Sequence, residues 1–355
     1  MIKDKAALSR VCENFISTTM DFYDIPGLAV GVYCGEEFIF TGAGGFRNYE
    51  TKDALAAETV FHCTSVSKLF TAAGVIKLAT DGKLSLGDKL CELVPWLSIA
   101  DKRWTEITVE SMLSHTSGFT DVNDYNWKEH KIGADALKEY ALSGEVSGRN
   151  LLWEPACAGN AGKFRYSSLA YNLLGLVIAE VSGMEYEEFM RREIFEPLGM
   201  TDSTFLTSDR VEGDLSLDAI NRCGMAMPHS KGRDRTISLV DVYPYSRQHA
   251  PSSTLTSTAG DLLKWAQACM DGAVDTVMDE MWRPRVEVPD TGEKMGLGWF
   301  IREQNGYKLM GHEGSDDGFR TSFWLCPEIK VAVVLLSNIT DAPLKKLSKK
   351  LFEML

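Results

Sequence analysis

Two apolar runs of strand length stand near opposite ends of this 355-residue chain, GLAVGVYC at 27–34 and KVAVVLLSNI at 330–339. Each has neighbours of the same kind. After a GEE turn, FIFTGAGG (38–45) completes an expected antiparallel hairpin with the first run. GLGWFIRE (296–303), YKLMGH (307–312) and FRTSFWLCP (319–327) read as strands leading into the last run. Between about 65 and 290 the periodicity is mostly helical. SKLFTAAGVIKLATDG closes at a Gly82 cap, and ITVESMLSH (107–115) reads as a short helix. SLAYNLLGLVIAEVSG (168–183) is strongly periodic, YEEFMRREIFEPLGM (186–200) stops at Pro197, and STAGDLLKWAQACMDG (257–272) opens on a Ser/Thr cap. A helix at 5–22, with Leu8, Val11, Cys12, Phe15, Ile16 and Met20 on one face, and another within DAPLKKLSKKLFEML close the ends. Strands at both termini with helices between predict an α+β fold: one antiparallel sheet built from the two ends, flanked by helices, as an α/β sandwich. The expected division is 1–64 plus 290–355 for the sheet domain and 65–289 for a mostly helical one, with a cleft between them.

Bulk properties remove several function classes. The net charge is −13 with no Lys/Arg-rich block, against the basic face that nucleic-acid binding requires. No stretch approaches the about 18 continuous apolar residues of a membrane span. The N-terminal MIKDKAALSRVCENF is broken by charges and carries no apolar signal region, so a cytoplasmic location is expected. Cys12, Cys34, Cys63, Cys91, Cys157, Cys223, Cys269 and Cys326 form no C-x-x-C pair and no metal-like spacing with histidine, which reads as buried free thiols in a reducing compartment.

Three short stretches carry chemistry. In SVSK, Ser65 precedes Lys68 by three residues, the one Ser-x-x-Lys in the chain. The pair falls where strand-rich sequence gives way to a long helix. That places Ser65 at a helix N-terminus with free backbone N–H groups, and Lys68 on the same helical face. A partly desolvated lysine there loses basicity and can take the serine's proton. In YSS, Tyr166 stands just before a helix with Ser168 two residues on. In GHEGSDDGF, Gly311, Gly314 and Gly318 permit close backbone approach around His312. Here H-E-G has no second histidine four residues on and a glycine that would break a zinc-binding helix, so no metal is expected. Asp316 and Asp317 read first as a solvated turn before Phe319 and second as a pair able to meet a cationic group, His115 reads as part of a packing turn, and Trp153, Trp299 and Trp324 as core residues near the cleft.

In this order, SVSK (65–68), YSS (166–168) and HEG (312–314) resemble the motifs of the serine penicillin-binding protein and class C β-lactamase superfamily, which includes D-peptidases and esterases. MLSHTSGFTD (112–121), PLGM (197–200) with DSTF, TSTAGDLLKW (256–265) and GLGW (296–299) extend the likeness over roughly residues 25–340. The resemblance implies a β-lactamase/transpeptidase-like fold. It implies Ser65 as a nucleophile forming an acyl-enzyme, Lys68 as its activator, and Tyr166 as donor to the leaving group and helper of the deacylating water. It implies an oxyanion hole from the N–H groups of Ser65 and Ser315, with Gly314 keeping a strand edge clear for substrate. His312 would lie near Tyr166, tuning it or meeting a substrate carboxylate, and no cofactor would be needed. Two departures count: Ser168 replaces the family's asparagine, and His312 replaces the lysine usual in class C lactamases. Both shift the expectation from lactamase to a hydrolase of small esters or amides, esterase-like or D-peptidase/amidase-like. The alternatives are a β-lactamase or D-Ala-D-Ala carboxypeptidase, and a catalytically silent binding protein with this fold. The partner would be a small-molecule ester, amide or β-lactam; the residues set no oligomeric state.

Overall fold

The computed structural model describes residues 4–35, 38–157, 162–272 and 275–355. Its frame is a nine-stranded antiparallel sheet. In chain order the strands are β1 (Gly27–Cys34), β2 (Phe38–Asn48), β3 (Asp53–Ala54), β4 (Val286–Glu287), β5 (Lys294–Met295), β6 (Phe300–Gln304), β7 (Tyr307–Asp316), β8 (Phe319–Cys326) and β9 (Val331–Ser337). Across the sheet they run β3-β2-β1-β9-β8-β7-β6-β5-β4. The two ends of the chain therefore meet in its centre, where Val30 pairs with Leu335 and Val32 with Val333. The expected β1–β2 hairpin is present; Glu36 and Glu37 of its turn lie outside the described residues.

The apolar character of β9 follows from its position. Ala332, Val334 and Leu336 face one core, and Val331, Val333 and Leu335 face another. With side chains alternating between two covered faces, no polar residue has a place along the strand. The first core lies against the helices of the middle of the chain: α2 (Ser67–Thr80), α3 (Ser168–Ser182) and α4 (Ala259–Met270). The second lies under α1 (Lys5–Tyr23) and α5 (Leu344–Met354). Helix α1 begins where the Asp4 side chain accepts from the Ala7 N–H at 2.7 Å, and it buries Leu8, Cys12, Phe15, Ile16 and Thr19. Helix α3 begins at a Ser167 cap and ends on Gly183 at φ 71°.

Four expectations change. The strand expected at 296–303 starts only at Phe300, because Gly296–Trp299 folds over α2. Gly298 sits at φ 86°, donates its N–H to the Leu113 carbonyl at 3.0 Å, and has Ala72 2.6 Å from where a Cβ would be. The strand expected to end at His312 runs on to Asp316, through the whole third motif. The helix expected at 186–200 is a short α segment, Tyr186–Met190, followed by a wider turn at Arg191–Phe195. Of the eight free cysteines, Cys157 and Cys223 are exposed rather than buried. Among the described residues no helix is long and apolar enough to cross a membrane.

Leu335 is fully buried on the sheet face away from the helical middle. Leu335→Ala should cost about 2–5 kcal/mol of stability through lost burial and the cavity left behind. Denaturant unfolding reads the loss, and the architecture requires that ligand binding per folded molecule stay as it was.

Candidate active site

Ser65 does not open α2; it sits in a 3-10 turn, Thr64–Val66, that leads into the helix at Ser67. Thr64 takes a left-handed φ of 51°, an unfavourable conformation for a β-branched residue. Its surroundings hold it there. Phe61–His62 pairs with Thr256–Ser257, and the Cys63 N–H donates to the Leu255 carbonyl at 2.7 Å. The Ser67 hydroxyl donates to the Thr64 carbonyl at 2.7 Å and accepts from the Leu255 N–H at 3.0 Å. The turn is thus fixed by a segment almost two hundred residues further along the chain.

One turn into the helix, Lys68 is fully buried. Its amine lies 3.2 Å from Ser65 Oγ and 2.7 Å from the Ser252 carbonyl oxygen, with the Tyr166 ring centroid 4.9 Å away. Burial pulls its pKa from 10.5 down to about 8, and the carboxylates of Asp121 and Asp316 limit the fall. A solvated lysine would be almost wholly protonated at neutral pH; this one has a neutral fraction able to accept a proton.

Tyr166 precedes the Ser167 cap of α3. Burial pushes its phenol well up, while hydrogen-bonding contact with Ser65 and Ser168 partly offsets this. Behind it stands His115, whose ring lies 4.5 Å away at 31°. The Ser167 N–H donates to His115 Nδ1 at 3.1 Å, which leaves the ring proton on Nε2, and burial holds the ring neutral. His115 is therefore structural, as expected, but what it supports is Tyr166. The Ser168 hydroxyl is buried without a hydrogen bond of good geometry, close to both Tyr166 and Tyr125.

His312 lies on β7 with its ring 6.0 Å from that of Tyr166. Nδ1 is bound to the Glu313 carbonyl at 2.5 Å, Nε2 has no partner, and burial lowers the pKa to about 3. It is neutral throughout the physiological range, so it offers a substrate a hydrogen-bonding nitrogen and not a positive charge. Gly314 has a stronger reason than a clear strand edge. A Cβ there would fall 1.7 Å from Thr64 Oγ1 and 3.1 Å from the Cys63 carbonyl, so only glycine lets β7 touch the Ser65 turn. β6 pairs with β7 only as far as Gly311, so among the described residues His312–Asp316 is bonded on one side and open on the other.

Ser65, Tyr166, Ser168, His312, Gly314 and Ser315 line one cavity of about 1020 Å³, and Lys68 lies beneath Ser65. All seven residues singled out from the sequence are brought together. Asp121 and Tyr125 belong to the same wall and were missed. Asp121 Oδ1 accepts from the Ser168 and Val122 N–H groups at 2.7 and 2.9 Å. The only signal for it was a carboxylate at the end of MLSHTSGFTD. Asp316 is not in a solvated turn: it ends β7 with its side chain 7% exposed, and its Oδ2 is held by His62 and Ser253 rather than offered to a substrate amine. Trp299 and Trp324 are buried as expected, and Trp324 also lines the cavity, its Nε1–H on Glu313 Oε1 at 2.6 Å.

The family model described as Beta-lactamase matches residues 12–351. Unguisins hydrolase ungD of Aspergillus violaceofuscus is 24% identical over 366 residues, covering 95% of this chain, which spans 62% of that longer protein. The octameric penicillin-binding protein homologue from Pyrococcus abyssi superposes with a TM-score of 0.81 at 24% identity, over 98% of this chain and 77% of that one. The D-amino acid amidase from Ochrobactrum anthropi SV3, complexed with L-phenylalanine amide, superposes at 0.78 and 19% identity over 98% of each chain.

Gly314→Ala should cost about 1–3 kcal/mol by forcing β7 off Thr64. Adding Thr64→Gly, which removes the clashing hydroxyl and tolerates the positive φ, should restore at least half of that loss in a denaturant double-mutant cycle. Additive losses would mean that the two residues do not meet.

Proposed function

The chain belongs to the Beta-lactamase family, and on that premise we propose that it is a serine hydrolase that cleaves a small ester or amide through an acyl-enzyme on Ser65. The observation that carries this is the buried Lys68 amine, 3.2 Å from Ser65 Oγ and with a pKa drawn down to about 8. Ser65 attacks the substrate carbonyl while Lys68 takes its proton. The N–H groups of Ser65 and Ser315 receive the negative charge that grows on the carbonyl oxygen. Tyr166, kept protonated by burial, gives a proton to the leaving group, which departs with the acyl group left on Ser65. Water then attacks the ester as the Tyr166 phenolate takes its proton, and as the acid leaves the Lys68 ammonium returns to the Ser65 oxygen the proton it took. The backbone of the open β7 edge holds the substrate's extended portion.

Esterase or D-peptidase/amidase activity fits this cavity better than β-lactamase or D-Ala-D-Ala carboxypeptidase activity. Ser168 offers a short hydroxyl where the family's asparagine binds a substrate amide, and neutral His312 supplies no charge for a carboxylate. A catalytically silent role is disfavoured by the desolvated lysine, which a binding scaffold has no use for. The named partners therefore remain small-molecule acyl donors.

Intact-protein mass after brief exposure to a penicillin and, separately, to a chromogenic acetyl ester tests the nucleophile. The wild type should gain the acyl mass from the ester and Ser65→Ala should not, with its fold intact by circular dichroism. Equal turnover by the two proteins would remove Ser65 from the mechanism, and rapid penicillin hydrolysis would favour the lactamase reading.

The acylation rate should also depend on pH. Below about 8 the Lys68 amine is mostly protonated and cannot accept the proton, so the rate should fall about tenfold per pH unit under that value and level off above it. A profile flat from pH 6 to 9 would remove Lys68 as the base.

A further inference from the structure

A cluster beside the cavity joins the parts of the site to one another. Asp316 closes β7, one residue after Ser315. Its Oδ2 is 2.8 Å from Nε2 of His62 and also accepts from the Ser253 hydroxyl. The His62 side chain is wholly buried and that of Asp316 is 7% exposed. Around the pair stand Trp127, Tyr243 and Phe319, with ring centroids 6.5, 6.0 and 5.4 Å from that of His62. Each residue of the triplet sits beside a working part of the site. His62 precedes the Ser65 turn. Ser253 follows Ser252, whose carbonyl holds the Lys68 amine at 2.7 Å. Asp316 follows Ser315. Of these three segments, the first two are already joined by the Phe61–His62 and Thr256–Ser257 strand pair, and a single carboxylate oxygen ties them to β7.

We infer that Asp316 is a positioning residue: through His62 and Ser253 it fixes the Ser315 N–H against the Ser65 turn, and so sets the spacing of the two oxyanion donors. This rests on the proposal that Ser65 and Ser315 supply those donors. The Gly314–Thr64 contact brings β7 up to the turn, and β8 holds this stretch from one side, so on its open side the strand meets the turn at that one point. Asp316, two residues further on, supplies a second attachment, and two points fix an orientation where one does not. A carboxylate suits the task because one of its oxygens can accept from two donors at once, and burial strengthens both bonds. Misaligned donors weaken the transition state far more than the bound substrate, because the full charge appears only on the tetrahedral oxygen.

The test compares wild type, Asp316→Ala, Asp316→Asn and Ser253→Ala for labelling of Ser65 by a fluorophosphonate and for kcat and KM on the acetyl ester. An oxyanion donor is worth about 10²–10³-fold in kcat, and one displaced but not removed should lose at least about tenfold. Asp316→Ala should therefore lose about tenfold or more in kcat and in labelling rate, with KM within about twofold. Asp316→Asn keeps an oxygen that accepts from both donors and should stay within about threefold of wild type. Ser253→Ala, the milder variant should Asp316→Ala fail to fold, should fall between them. A lower melting temperature with kcat per folded molecule unchanged in Asp316→Ala would overturn the inference and leave Ser65 as nucleophile. Equal losses in the Ala and Asn variants would also overturn it, because charge and not geometry would then be at work. Labelling of wild type that survives Ser65→Ala would instead defeat the reading of Ser65 itself, and this inference with it.

Discussion

Desolvation of one amine is the constraint on which the site depends. Moving Lys68 from water to the interior lowers its pKa from 10.5 to about 8, roughly 3 kcal/mol in favour of the neutral form. A lysine so placed needs a hydrogen-bond acceptor, which the Ser252 carbonyl supplies. It also needs enough negative charge nearby to keep its basicity useful, which Asp121 and Asp316 supply. Remove the burial and the amine stays charged; remove the carboxylates and its pKa falls further. The packing of α2 against α3, β7 and the 251–255 segment places one amine between those limits.

The same packing explains the glycines and the strained backbone. Thr64 carries a positive φ because the strand pair before it and the helix after it leave the chain one tight turn in which to present Ser65. That turn is crowded by β7, and Gly314 is the residue type that permits the contact. Strain at the turn, the missing side chain at Gly314 and the open edge of β7 are three consequences of bringing a helix start, a tyrosine loop and a sheet edge to one point.

Much of this was legible in residue order. The apolar run of β9 and its counterpart β1 announced a sheet closed by both ends of the chain, because a strand covered on both faces has no polar positions. Ser65 and Lys68 were legible because i and i+3 share a helical face whatever surrounds the helix. The start of β6 at Phe300 was not. Gly298 and its neighbours are bent by contact with Ala72 and Leu113, residues that local periodicity does not include. Asp121 and Tyr125 were missed for a similar reason: a lone carboxylate and a lone tyrosine in a region of weak pattern acquire meaning only when α3 is laid beside them.

What the sequence determined by itself, then, was the set of elements and the chemical types of the site: an apolar period fixes a strand or a helix, and a serine one turn before a lysine fixes a possible donor and acceptor. What tertiary structure alone decided was their chemical state. The neutrality of His312, the lowered pKa of Lys68, the capture of Asp316 by His62 and the true reason for Gly314 all depend on what stands across a gap. The partners there are 254 residues apart for His62 and Asp316 and 184 for Lys68 and Ser252. Burial and electrostatic potential are sums over neighbours in space, and neighbours so distant in the chain are set only when the sheet closes and the helices settle on it.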